Sequence, residues 1–395
     1  MKIINGSVFT NGTSFQEGTI HIADGRITAI ESNISQCEKN QDGPEASYDA
    51  SGCYVVPGFT DIHFHGCFGY DFSNYNLTEL QIMGGYELQS GITQICPAAM
   101  TYPEERLASI IKCAKAYRTH PFTEAVNSRG DIANIQGADL VGVNLEGPFI
   151  SMVKKGAQNP DFIIPPDAAM YHRLKALAPD LLKLITIAPE TENALDLIEE
   201  IKDGITVSLG HTTADYETAW KAFQKGATHV THLFNAMTAF SHRDAGIIGA
   251  AFDTPDNHVE LICDGVHVSE SMIRACFQLF TDNRVVLVSD SMMATGCPDG
   301  EYTLGSQSVT VNGNLATLHD GTIAGSVTNL ADCFRYAVSI GIPLESALKA
   351  VTINPARSIG IDKDYGSIAP DKIANLLVLD RNLHIRAIIF HGEIL

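Results

Sequence analysis

Four histidines and two carboxylates in this chain stand where short apolar runs end, and each could bind a cation or carry a proton. His63 and His65 follow FTDI, Glu146 closes LVGVNL, His211 closes ITVSLG, His232 closes THVT and Asp290 closes RVVLVS. In extended chain, residues two apart point the same way, so His63 and His65 can reach one ion. Two neutral imidazoles and a carboxylate around a divalent metal leave positions open, acidify a water and polarise a carbonyl. Taken singly, each residue has a plainer reading. A strand-end histidine satisfies itself by hydrogen bonding, Glu146 in Glu146-Gly147-Pro148 serves a cap or salt bridge, and Asp290 caps a helix or makes a turn. Their recurrence on one rim is what argues for chemistry.

A rim requires elements that end together. The stretch Ile205–Met237 reads as strand, helix, strand, with Thr213 as helix cap, Tyr216, Ala219, Trp220 and Phe223 on the apolar face, and Gly226 as terminator. Parallel strands joined by a right-handed crossover expose their C-terminal ends on the same side. Eight such runs follow one another: YVVPGFTDIH, GITQICPA, LVGVNLE, LLKLITIA, ITVSLGH, THVTHLF, VELICDG and RVVLVSD. Helical patterns lie between them, announced by Thr101 with Pro103 in the first turn, by Thr191 with Gly204 at the close, and by Ser269. Eight strand–helix units predict an α/β fold, a (β/α)₈ barrel over 57–355, with its chemistry at the C-terminal rim. Five of the eight runs end in ligands or bases.

Residues 1–56 are strand-rich, with a hairpin turn at Asp24-Gly25 and a polar loop from Gln36 to Ser47; the far end, ANLLVLD and HIRAIIFHGEIL, has the same texture. Neither end holds enough strands to close a core, so 1–56 and 356–395 are expected to form one small β-sandwich. After the eighth run, turns at Asn312-Gly313 and Asp320-Gly321 predict hairpins, and helices near Asn329–Ile340 and Leu344–Val351 lead back to the sandwich.

The 395 residues carry 26 basic and 46 acidic side chains, a net charge of -20, which argues against nucleic-acid binding. No apolar run reaches membrane-spanning length, and MKIINGSVFTNG does not read as a signal peptide. Nine cysteines without a CxxC pair suit reduced thiols in the cytoplasm.

PGFTDIHFHG, NLEGPFIS with KKGAQNP, SLGHT, THLFNAM, ICDGVH, VSDSMMATG, IAGS and TINPA, in this order, resemble the metal-dependent amidohydrolase superfamily and, within it, its amino-sugar-phosphate deacetylases. The resemblance implies that Glu146, His211 and His232 hold the main divalent metal, that His63 and His65 hold a second, and that Asp290 is the base. On the residues alone, Asp290 is suited to take a proton from the attacking water and deliver it to the leaving nitrogen. The metal is open among zinc, iron, cobalt and manganese, because the His/Glu set suits all four. Sugar and phosphate contacts are implied at Asn235, Ala236, Arg243, Asp264, Gly265, Val266 and His267, in the Ala157 region, and at Ile323, Ala324, Gly325 and Ser326. Arg243 suits a phosphate because its guanidinium pairs two oxygens. The family's arginine reaches a neighbouring subunit's site, which implies a homodimer.

The implied reaction releases acetate from N-acetylglucosamine 6-phosphate; the N-acetylgalactosamine epimer is the alternative substrate. Gln158 departs from the histidine common in the KGxHNP block; it can still bond a sugar hydroxyl but cannot become charged. A binding regulator without activity would lack a ligand or the base, and here all are present. Cyclic-amide hydrolysis usually brings a bridging lysine at the end of the fourth strand, whereas Lys183 stands at its start. Lys154 and Lys155 are either positive potential at the mouth or a solvated pair. Trp220 is expected to pack helix against barrel, and Cys67 to be a small buried residue rather than a ligand.

Overall fold

The structure is a computed structural model that describes residues 1–32, 46–126 and 132–395. Most of the loop expected from Gln36 to Ser47 therefore lies outside the described residues. Eight parallel strands form the barrel in chain order: Phe59–Asp61, Ile92–Ile95, Val143–Leu145, Leu182–Ile187, Thr206–Leu209, His229–Val230, His258–Ile262 and Val285–Val288. The third through eighth pair side by side, and the first pairs with the second. Between the second and third strands, Asn144 N donates to Pro97 O at 3.0 Å and Val141 N to Ile95 O at 2.9 Å. Closure comes past the ends of the eighth and first strands. There Asp290 N donates to His63 O at 2.9 Å, and His65 N to Ser291 O at 2.8 Å. Most strand residues are buried, as β-strands covered on both faces require.

Both termini feed one eight-stranded sheet. Tyr54–Pro57 lies between Lys2–Thr10 on one side and Leu376–Leu379 on the other, pairing in parallel with the first and antiparallel with the second. Residues from both ends of this sheet, Ile20, Ile27, Val55, Leu376 and Ile389 among them, share one apolar core, so the sheet curls over it. Asp24 and Gly25 both have positive φ (51° and 73°), the twist that a two-residue hairpin turn needs. The run YVVPGFTDIH thus serves two bodies: its first half belongs to the terminal sheet and its second to the barrel. Gly58 is the joint. A Cβ there would collide with the Thr93 side chain, so only glycine lets the chain cross. Helix Ile353–Ser358 packs on the barrel, where Asn354 Nδ2 donates to Asp282 O and Val285 O at 2.8 Å each.

Several helix starts differ from expectation. Helix Tyr216–Lys225 is capped by Asp215, which accepts from Thr218 N at 2.8 Å, while Thr213 gives its amide and hydroxyl to Glu190. Gly226 does end it. Ala219, Ala222 and Phe223 form its buried face, and Trp220 is 42% exposed, so it does not pack against the barrel as expected. Thr101 does not begin helix Glu104–Thr119; it is buried at the rim. Helix Ala194–Ile201 starts after Asn193, two residues beyond the expected cap Thr191. Ser269 stands at the N-cap of Glu270–Leu279. Strands Gly300–Leu304, Gln307–Asn312 and Leu315–Thr317 form the expected hairpins. Eight described cysteines are free, and Cys67 is fully buried. No described helix is long and apolar enough to cross a membrane.

Candidate metal centre

The hydrogen-bonded strands stop short of the residues expected to do chemistry. Asp61 is the last strand residue before His63, Leu209 before His211, Val230 before His232 and Val288 before Asp290. His211, His232 and Asp290 have positive φ (47°, 25° and 49°), a conformation costly for non-glycine residues, about 1–3 kcal/mol each, and concentrated at functional sites. It turns each side chain off its strand and inward over the barrel mouth.

There the side chains meet. Glu146 Oε1 lies 2.8 Å from His211 Nε2 and 3.1 Å from His232 Nε2, with His63 Nε2 at 3.6 Å. Its Oε2 is 3.3 Å from His65 Nε2. Asp290 Oδ1 is 3.2 Å from His65 Nε2 and 3.8 Å from His63 Nε2. Ligand atoms of His63, His65 and Asp290, and separately of His63, Glu146 and His232, lie within 4.8 Å of one another. All six residues are buried.

The donor set fits a divalent cation on grounds of proton placement. His211 Nδ1 is 2.8 Å from Lys154 O, His65 Nδ1 is 3.1 Å from Ala98 O, and His63 Nδ1 is 2.8 Å from Glu260 Oε2. Those oxygens only accept, so in each neutral ring the proton is on Nδ1 and Nε2 offers a lone pair. The lone pairs of these three rings point at carboxylate oxygens, and His211 Nε2 lies 3.1 Å from His232 Nε2. His63 Nε2 is buried without a hydrogen-bond partner. Such a centre is electron-rich throughout, and positive charge must fill it, as metal or as protons. Burial pushes the Glu146 carboxyl up, but the facing histidines, His211 foremost, hold it well below the carboxylate range. Asp290 is likewise held low, the bond from His65 and the charges of His63 and His65 outweighing its burial. Both are carboxylates at neutral pH.

The centre opens into a cavity of about 370 Å³, within the range of small-molecule sites. Of the residues expected to touch substrate, Ala157, Asn235, Ala236, His267, Ile323 and Gly325 line it. Asp264 stands behind His267: its Oδ2 is 2.6 Å from His267 Nδ1, and its Oδ1 accepts from the amides of Val266 and His267. That leaves His267 Nε2 as the free ring nitrogen. Ala324 and Ser326 are buried, and Ser326 N donates to Asp290 O at 2.7 Å, bracing Asp290 rather than facing the cavity. Gly265 and Val266 carry the turn into His267. Arg243 is exposed and does not line the cavity of its own chain. Lys154 lines the mouth.

Gln158 lines the inner part of the cavity beside Glu146. It is buried, donates from Nε2 to Glu146 Oε2 at 2.6 Å and accepts from Thr101 N at 2.8 Å. Glu260, inside the seventh strand, went unnoticed in the sequence although it touches His63 and the His232 amide. The signal was there: a lone carboxylate within the apolar run VELIC is out of place unless paired.

The amidohydrolase family model matches residues 54–395. N-Acetylglucosamine-6-phosphate deacetylase of Bacillus subtilis (strain 168) is 31% identical over 390 residues, spanning 98% of this chain and 95% of that protein. N-Acetylgalactosamine-6-phosphate deacetylase of Escherichia coli O157:H7 is 30% identical over 380 residues, covering 95% of this chain and 94% of that one. Among solved structures, N-acetyl-D-glucosamine-6-phosphate deacetylase of Mycobacterium smegmatis, as a mutant in complex with N-acetyl-D-glucosamine-6-phosphate, superposes with a TM-score of 0.88 at 30% identity, covering 100% of this chain and 98% of that one. The barrel, the histidine–carboxylate clusters able to hold metal and these likenesses agree, and the chain belongs to the amidohydrolase family.

Proposed function

We propose that this chain hydrolyses the N-acetyl group of N-acetyl-D-glucosamine 6-phosphate, giving D-glucosamine 6-phosphate and acetate in amino-sugar breakdown. One observation carries the reading: imidazole lone pairs and two ionised carboxylates converge at the floor of a cavity sized for a small molecule. Glu146, His211 and His232 hold the main divalent ion, and His63 with His65 hold a second. When bound, the metal acidifies water and polarises the amide carbonyl. We take the barrel, 57–355, as the catalytic body and the terminal segments, 1–56 and 356–395, as its supporting sheet.

Asp290 takes the proton of the attacking water. The departing amine is the acceptor of that proton. His267, steadied by Asp264, offers Nε2 to the sugar phosphate, and the main chain at Asn235-Ala236 supplies further polar contacts. Ile323 and Ala157 form the cavity wall against the sugar. Exposed and without a carboxylate partner among the described residues, Arg243 is free to pair a phosphate in the site of a second copy, which makes the working form a homodimer. Eight free described cysteines fit the cytoplasm.

The galactosamine epimer is the second reading, favoured by the likeness to the E. coli O157:H7 protein. Acetate release from both 6-phosphates and from unphosphorylated N-acetylglucosamine, with metal analysis of the same sample, separates these outcomes. Turnover of the glucosamine ester at least tenfold above the other two supports the proposal. Equal turnover of the free sugar removes it.

A further inference from the structure

Inward positions on barrel strands are ordinarily apolar and branched. Glu260 breaks this rule on the seventh strand, where Val259, Leu261 and Ile262 surround it and its own exposure is zero. Burying an ionised carboxylate costs several kcal/mol unless its oxygens are well paired. They are. Oε2 lies 2.8 Å from His63 Nδ1 and also accepts the His232 main-chain amide at 3.0 Å. Oε1 faces His229 Nε2 at 3.2 Å, and His229 Nδ1 is 2.6 Å from Ser358 Oγ.

One oxygen therefore ties together two tips separated around the ring. On the first strand's side it dictates a tautomer: a carboxylate accepts only, so His63 must carry its proton on Nδ1 and aim the Nε2 lone pair into the centre. On the sixth strand's side it holds the amide of His232, whose φ of 25° would otherwise relax. We infer that Glu260 is a positioning residue coupling the two cation positions, through the His63 ring at one and the His232 main chain at the other. This rests on the reading of His63 and His232 as metal ligands.

Two near-isosteric variants separate reach from charge. In Glu260→Gln the amide oxygen can still accept from both His63 and His232, while its NH₂ faces His229 Nε2, which accepts if Nδ1–H turns to Ser358. In Glu260→Asp the charge stays but the side chain is one methylene short of meeting both donors. Each purified protein is dialysed against graded zinc, and bound metal per chain is measured alongside KM and kcat for N-acetylglucosamine 6-phosphate. Wild type is expected to take two ions. Glu260→Asp should weaken the second ion by about 10–100-fold, with kcat lowered and KM within twofold. Glu260→Gln should lose less than about tenfold. The inference is overturned if Glu260→Gln loses the ion as badly as Glu260→Asp, or if both variants match wild type. A wild-type chain that never takes a second ion instead removes the reading of His63 as a ligand, and the inference goes with it. Since Glu260→Gln preserves size and hydrogen bonding, it keeps the test alive should the aspartate variant fail to fold.

Discussion

The side-chain amide of Gln158 bridges Thr101 N and Glu146 Oε2, at 2.8 Å and 2.6 Å. Because the Thr101 amide can only donate, the Gln158 oxygen must face it and the NH₂ must face the carboxylate. Glutamine at this position thus orients the acid at the centre of the site. Gln158→Leu should leave Oε2 of Glu146 and the Thr101 amide unpaired in a buried place, at about 1–3 kcal/mol each. Metal affinity should fall by about 10–100-fold. Preference between the two sugar epimers should not move. Metal titration and paired epimer assays check both statements.

Asp290→Asn keeps the shape of the base and removes its ability to take a proton. Turnover should fall by at least about 10²-fold, the contribution typical of a positioned acid–base group. The ion held by Glu146, His211 and His232 should remain, since Asp290 contributes no ligand atom to that set. Acetate release and bound metal, measured on one preparation, decide it; an unchanged rate would remove Asp290 from the mechanism.

Stripping the metal with a chelator should abolish activity and lower Tm, because an ion that binds only the folded chain stabilises it by RT ln(1 + [L]/Kd), about 4 kcal/mol at a thousandfold excess over Kd. Re-addition of zinc, iron, cobalt or manganese should restore both readouts, and the ion that restores most at lowest concentration identifies the native preference. A chain whose Tm ignores the chelator would argue that the facing carboxylates and histidines are neutralised by protons instead.

Acid should destabilise the barrel through His258. Burial, with His229, Arg284 and Arg357 nearby, pushes its pKa down to about 3 from the ordinary 6.5. Below pH 6.5 the unfolded chain binds a proton that the native chain refuses, so stability falls as pH drops towards 3, by at most about 1.4 kcal/mol per pH unit from this one group. Above pH 6.5 both states are neutral there and the contribution is flat. Denaturant unfolding of His258→Gln at pH 7 and at pH 5 should show a smaller gap between the two than wild type does.

Eight runs and their terminal residues were legible because parallel strands with helical crossovers have one geometry: whatever ends the strands ends up on one rim. His211 and His232 needed nothing more than their place after ITVSLG and THVT. Less visible was how they are turned, since their positive φ and that of Asp290 come from the rim's packing. Glu260 hid inside a strand, where alternation alone cannot say whether a polar residue faces the centre. Gln158 suggested a sugar contact, and only the fold brings Thr101 beside it. Trp220 misled because helix Tyr216–Lys225 is amphipathic over a narrower face than its large residues suggest; Ala219 and Ala222 occupy the contact.

The pairing of Tyr54–Pro57 with Leu376–Leu379 also has a consequence for biosynthesis. On the ribosome, the early strand emerges with one edge open, and its partner is translated only after the whole barrel. Until then an apolar ribbon with unpaired amides and carbonyls is available to any other nascent chain. A messenger cut short before Leu376 would yield a product that keeps His63, His65, Glu146, His211, His232 and Asp290 but leaves this edge without its partner strand.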